Sequence, residues 1–183
     1  MATIHRTTMA PTKLELLTGW IPQQAWWVGG DRPPQLAPAG GFRLDDPAGE
    51  VGIEFMFVTD ASDGICYHVP LSYRAAPLAG AEDALIGTSE HGVLGTRWIY
   101  DGTQDPVVTA ALQEFVHGRV PAQHQKISDT LDPTVVCSGV PAGDVLVEPV
   151  RVLDGAPVPG GCVEAGWRRP DGTTVRGPVA SVR

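Results

Sequence analysis

The sequence predicts an α+β fold: an antiparallel β-sheet (a meander) flanked by two short helices, followed by a C-terminal three-stranded β extension. Three observations predict it. Gly 22 and Pro 17 favour many turns and short strands over long helices. Val51 to Thr59 alternates Val51, Ile53, Phe55 and Phe57 against Gly52, Glu54, Met56 and Val58, the period of a strand with one buried and one partly covered face. Two segments carry helix-start chemistry, Thr12 with Glu15 and Asp105 with Pro106.

Residues 1–11 have no period and read as a loose arm. Thr12 caps a short helix, Glu15 completes a capping box, and Leu14, Leu16, Leu17 and Trp20 supply the apolar side. Residues 19–30 hold three of the five tryptophans, Trp20, Trp26 and Trp27. Such a cluster is either a platform for sugar rings or bases, or a plug that anchors the first helix to a sheet; the plug is favoured. A Pro/Gly connector spans 29–40, and a short strand spans Gly41 to Asp45. After the Val51 strand, Asp63-Gly64 turns the chain into Ile65 to Tyr73. Pro70 lies inside that strand, which predicts an edge strand or a bulge.

Residues 86–116 follow a connector over 75–83. Here a Gly-rich turn (Gly87, Gly92, Gly95), an aromatic strand Thr96 to Tyr100 and a turn at Asp101-Gly102 lead into a helix over Pro106 to His117. Asp105 suits its N-cap, and Val107, Ala110, Ala111, Leu112 and Phe115 its apolar side. Gly118 stops it. Three more strands are expected at Val145 to Leu153, Gly161 to Arg168 and Thr173 to Val182. The organisation expected is an α+β domain over 12–118, a connector over 119–143 and a β extension over 144–183 packed on the same domain.

Composition removes several functions. A net charge of −8 and a pI of about 4.9 argue against a non-specific nucleic-acid binder and against a surface that docks on anionic lipid. The longest apolar run, Phe55 to Val58, is far too short to span a membrane, and no apolar segment follows Met1 to Arg6 as in a signal peptide. Cys66, Cys137 and Cys162 are odd in number and widely spaced, with no CxxC pair, which fits thiols in a reducing cytoplasm. A cytoplasmic protein is expected. Scarce lysine (Lys13 and Lys126) with abundant Ala, Gly, Pro and Val points to a high-GC bacterial genome.

Chemistry-bearing motifs are sparse. Gly87 and Gly92 have the spacing of a phosphate loop, but Val93 and Leu94 stand where Lys and Ser/Thr are required. GxGxxG, GxSxG and HExxH are absent, and His117 and His124 do not share a helix face. No metal and no cofactor is expected. Glu90 and His91 with Asp101 or Asp105 are the candidates for acid–base work, near Arg97 and Tyr100. Turn and cap chemistry explains the same residues, and that reading is preferred.

Two stretches carry a family resemblance. Trp20 to Gly30, WIPQQAWWVGG, resembles the W-[LI]-P-x-Q-R-W-[FY]-x-G segment that opens actinobacterial maltokinases. Ile86-Gly87-Thr88, then Trp98 to Gly102 and Asp105-Pro106, is similar to a later part of the same region. The resemblance covers residues 12–118 and implies the N-terminal cap of maltokinase, a curved antiparallel sheet with flanking helices. Ala25 stands where the family carries Arg, and Asp31 where a basic residue is common. The HxD catalytic loop and metal-binding Asp motif of the kinase lobe are absent, so the resemblance supplies no catalytic residue. It implies a stand-alone, non-catalytic cap-like module.

The expected function is binding of a partner protein or a glycan-related ligand in α-glucan, maltose or trehalose metabolism, with Trp20, Trp26, Trp27, Arg97 and Tyr100 as the ligand-binding candidates. The alternatives are a small carbohydrate-active enzyme using Glu90, His91 and Asp101, and a structural homodimer. Neither nucleic acid nor membrane is an expected partner.

Overall fold

The computed structural model describes residues 8–183. Strand β1 (Met9–Ala10) and helix α1 (Lys13–Trp20) precede the meander β2 (Leu36–Leu44), β3 (Gly52–Asp60) and β4 (Cys66–Arg74). Hairpin β5 (Leu85–His91) and β6 (Gly95–Asp101) leads into α2 (Pro106–Val116). Short strands β7 (Gln123–His124), β8 (Val136–Ser138), β9 (Val147–Pro149) and β10 (Val152–Leu153) come before the long hairpin β11 (Gly161–Arg168) and β12 (Thr174–Val182). The fold is α+β, with two antiparallel sheets. The larger, curled sheet runs β1-β5-β6-β4-β3-β2-β7, with β10 paired to β4. The smaller runs β8-β11-β12-β9.

Local chemistry sets both helix starts. Thr12 and Glu15 form the capping box, each side chain accepting from the other's backbone N–H. Asp105 caps α2 by accepting from Val107 N–H at 2.9 Å, with Pro106 at the first helical position. The buried stripe of α2 is Val108, Ala111, Leu112, Phe115 and Val116, one position on from the expected Val107 and Ala110. Gly118, at φ 70°, ends the helix.

The large sheet has two covered faces. On one, α2 and the small sheet bury Phe42, Phe55, Phe57, Val163 and Trp167 in one cluster. Phe42 stacks on Phe55 at 4.5 Å between ring centroids. On the other, α1 and the tryptophan segment bury Leu17, Trp20 and Ile21 against Met56, Val58, Tyr67, Val69 and Leu71. Alternation along β3 feeds both faces, so the strand is buried almost throughout. Gly87 lets α1 close on the sheet, since a Cβ there would lie 2.7 Å from Leu16 Cδ2.

Several expectations change. β2 begins at Leu36, inside the expected connector, because a bulge between Pro38 and Gly40 breaks the alternation. Gly41 at φ 143° would place a Cβ 2.3 Å from Phe55 O, so the bulge admits only glycine there. The Gly-rich turn before the aromatic strand is instead a strand, β5, and the turn is confined to Gly92-Val93-Leu94. β4 is interior: it pairs with β3 along its length and, on its other side, with β10 at Cys66 and Tyr67 and with β6 from Leu71 on. His68 N–H points to that second side, where it donates to Arg151 O. Pro70, two residues on, turns its missing N–H into the gap between the two neighbours, which is why proline is tolerated inside the sheet. The expected connector over 119–143 contributes β7 to one sheet and β8 to the other, and the strand expected at Val145 to Leu153 is split between β9 and β10. The loose arm expected over 1–11 lies largely outside the described residues; its described end forms β1, paired with β5.

Candidate functional site

A cleft of 760 Å³ opens on the α1 face of the large sheet, at the start of the helix. Its floor is a buried carboxylate. Glu54 projects from β3 in phase with Met56 and Val58, on the face those residues use for packing. It is 1% exposed and accepts four hydrogen bonds. Lys13 Nζ donates to both carboxylate oxygens at 2.9 Å, Gln125 Nε2 donates at 2.9 Å, and the Tyr73 hydroxyl donates to the second oxygen. Burial works to raise the Glu54 pKa; the charges of Lys13 and Arg43 and the bonds from Tyr73 and Lys13 outweigh it and hold the carboxyl below its ordinary range. Burial and the adjacent carboxylate push the Tyr73 phenol well above its usual value. Glu54 is therefore an anion and Tyr73 a neutral donor.

Elements far apart in sequence supply these groups. Lys13 is the first residue of α1, positioned by the Thr12 cap. Arg43 stands directly across from Glu54 in the β2–β3 register. Gly41 leaves the space through which Gln125 reaches the carboxylate: a Cβ there would meet Gln125 Nε2 at 2.7 Å. Arg74, at the rim, is held by Asp105 in a bidentate pair with both bonds at 2.7 Å. Burial alone would raise the Asp105 pKa, but the bonds from Arg74 and from Val107 N–H keep it below the usual carboxylate range.

The residues singled out in the sequence fall into three places. His91 and Arg97 line this cleft. His91 Nδ1 accepts from the N–H groups of Val93 and Leu94, and one Nη of Arg97 donates to Leu94 O, so both brace the β5–β6 turn. Glu90 is exposed and accepts from the Thr96 hydroxyl. Asp101 lies at the other end of β6, six residues and roughly 20 Å along the strand from the turn. It accepts from Thr103 N–H and pairs with Arg151. The structure brings His91 and Arg97 together and leaves Asp101 apart from Glu90 and His91. Tyr100 is buried beside Ala81 and Ala84, and its hydroxyl accepts from Leu78 N–H.

The tryptophans form a packed cluster. Trp20 is buried, while Trp26 and Trp27 are half-buried. Trp26 meets Trp20 at 5.8 Å and Tyr67 at 5.9 Å, and the Arg151 guanidinium sits 5.2 Å from its ring centroid. Trp27 lies 5.2 Å from Tyr67 and donates from Nε1 to Gly30 O at 2.8 Å. Its ring presses on Gly29, where a Cβ would come within 2.0 Å of Cζ2. The glycines after the tryptophan pair are thus part of the plug.

Sequence reasoning missed Glu54, Lys13, Arg43 and Tyr73 as a group. The available signal was a carboxylate in register with Met56 and Val58. Among the described residues, no group of three or more His, Cys, Asp or Glu side chains is placed to hold a metal ion, and no helix is long and apolar enough to cross a membrane.

A curled antiparallel sheet, helices on both faces and a cleft floored by one buried carboxylate define an α+β module. Residues 20–105 match the family model of the maltokinase N-terminal cap domain, which is consistent with a cap-like domain in this part of the chain. The match runs from the last residue of α1 to the cap of α2 and takes in the tryptophan segment, the meander and the β5–β6 hairpin. No curated protein matches the chain.

Proposed function

We propose that the chain is a non-catalytic, cap-like module that acts by docking on a partner protein of α-glucan, maltose or trehalose metabolism. The observation that carries this reading is the commitment of its acid–base candidates to local structure: Asp101 to Thr103 and Arg151, Glu90 to Thr96, and His91 to the turn amides. A general acid–base pair needs groups converging within hydrogen-bond reach of one reacting atom. Partner docking is favoured over a glycan platform because Arg151, Tyr67 and Gly29 already lie against the Trp26 and Trp27 rings. A cytoplasmic setting suits its three free cysteines.

The test is association with a maltokinase catalytic region prepared without its own cap, followed by sedimentation velocity. A faster-sedimenting complex supports the reading; independent sedimentation at tens of micromolar each removes this partner. Tryptophan fluorescence titrated with maltose, trehalose and glycogen tests the glycan version, and a flat response to all three is expected. An activity lost in His91→Ala would favour the enzyme alternative, and a solution mass of two chains by light scattering the homodimer.

A further inference from the structure

The cleft above Glu54 concentrates positive charge in a chain whose net charge is −8. Four cationic side chains line it, Lys13, Arg43, Arg74 and Arg97, against two carboxylates, Glu50 and Glu54. Two of the cations are accounted for. Arg74 is matched by Asp105, and Lys13 by Glu54. Arg43 is different. Its Nε is sealed from solvent and has no hydrogen-bond partner among the described residues. Glu54, directly across from it, already accepts from Lys13, Tyr73 and Gln125. A buried donor left unsatisfied is costly, more so when charged, so an orphan guanidinium N–H beside an open cleft calls for an acceptor from outside. Arg97 uses one Nη on Leu94 O and retains the rest of its donor fork.

We propose that this cleft binds a small organic anion, a carboxylate or a phosphate monoester, with Arg43 as the principal contact and Arg97 as the second. The guanidinium fork matches both groups in bidentate geometry. The cleft volume of 760 Å³ lies within the range of small-molecule sites. Arg43 on β2 and Arg97 on β6 are separated by β3 and β4 in the sheet order, about 14 Å between the strands, a span that two long arginine side chains reaching toward each other can close onto one anion. Lys13, held by Glu54, adds positive potential without leaving its partner. This site does not depend on the partner-docking reading.

The test is isothermal titration calorimetry of the full chain at low ionic strength with inorganic phosphate, phenyl phosphate and succinate. At least one of them is expected to bind saturably with a Kd below about 5 mM. Arg43→Met and Arg97→Met are each expected to weaken it by roughly tenfold, the scale of one lost charge-assisted contact. Arg168→Gln, at an exposed position on β11, is the control and is expected to leave binding unchanged. Phenyl phosphate binding without succinate binding would assign a phosphate ester, and the converse a carboxylate. The proposal is overturned if none of the three binds with a Kd below about 5 mM, or if both arginine variants bind as the unaltered chain does. Should Arg43→Met fail to fold, Arg97→Met decides alone, because that half-buried side chain makes one backbone hydrogen bond at the turn.

Discussion

Replacing Glu54 by glutamine tests whether the buried carboxylate organises the α1 face. The substitution keeps shape and volume but exchanges an oxygen for an NH2 group, turning an acceptor into a donor. Lys13 Nζ lies 2.9 Å from both oxygens, so whichever position the new amide nitrogen takes, a donor faces a donor. Arg43 and Lys13 are also left without their anion. Breaking a buried ion pair costs 3–5 kcal/mol, and with Lys13 30% exposed its ammonium regains some hydration, so the lower end applies, about 3 kcal/mol. For a chain of this size that corresponds to roughly a 6–12 °C fall in Tm. The assay is urea unfolding followed by tryptophan fluorescence, with calorimetry for Tm. In a double-mutant cycle with Lys13→Met the two losses should be non-additive by about 2 kcal/mol. The pH dependence has a fixed sign: the folded pKa of Glu54 is depressed, so its contribution is present above the unfolded carboxylate pKa and is lost as pH falls through the folded value. Glu54→Gln should remove that part of the acid dependence. A loss under about 1 kcal/mol, or strict additivity with Lys13→Met, would refute the reasoning.

Three further predictions concern other parts of the molecule. His68 is fully buried with Nδ1 donating to Val179 O at 2.9 Å, and burial, with Arg151 nearby, pushes its pKa down to about 3. The unfolded chain then binds the proton first, so stability should fall as pH drops from about 6.5 toward 3, by up to about 1.4 kcal/mol per pH unit, and melting curves of His68→Leu should lack this slope. Asp105→Ala removes a helix cap and strands Arg74, which is 20% exposed; a cost of about 2–4 kcal/mol is expected by denaturant titration, and Arg74→Met in the same background should add little. Gly29→Ala drives a Cβ to 2.0 Å from the Trp27 ring and should expel it, shifting tryptophan emission to the red with little loss of far-UV circular dichroism.

What was legible in the sequence was local. Thr12 with Glu15 and Asp105 with Pro106 cap their helices through bonds spanning two or three residues, and both are visible as spacing. The alternation of Val51 to Thr59 announces β3 because one strand contains its own pattern. What was not legible depends on distant partners. Pro70 reads as an edge residue until β10, some 80 positions later, shows that β4 changes neighbours there. Gly40 reads as the end of a linker and Gly41 as the start of a short strand, though both lie inside β2, next to its bulge. Glu54 stands on the partly covered face of its strand with nothing local to mark it; its partners Lys13 and Gln125 are 41 and 71 residues away. His91 and Arg97 line the same cleft and are tied to its turn through Val93 and Leu94, while Asp101, read beside them in the sequence, sits at the far end of β6.

The change of neighbours along β4 bears on where this module can be cut. One half of the strand is completed by the β6 hairpin, within residues 20–105, and the other by Arg151 to Leu153, well beyond them. The stretch that carries the family pattern is therefore not the stretch that closes the sheet. A fragment trimmed to 20–105 would expose the backbone amides of Cys66 to His68 in mid-sheet and lose both Lys13 and Gln125 from the Glu54 carboxylate. The family pattern and the closed sheet have different boundaries in this chain, and any graft of this module onto another protein has to carry Lys13, Gln125 and β10 with it.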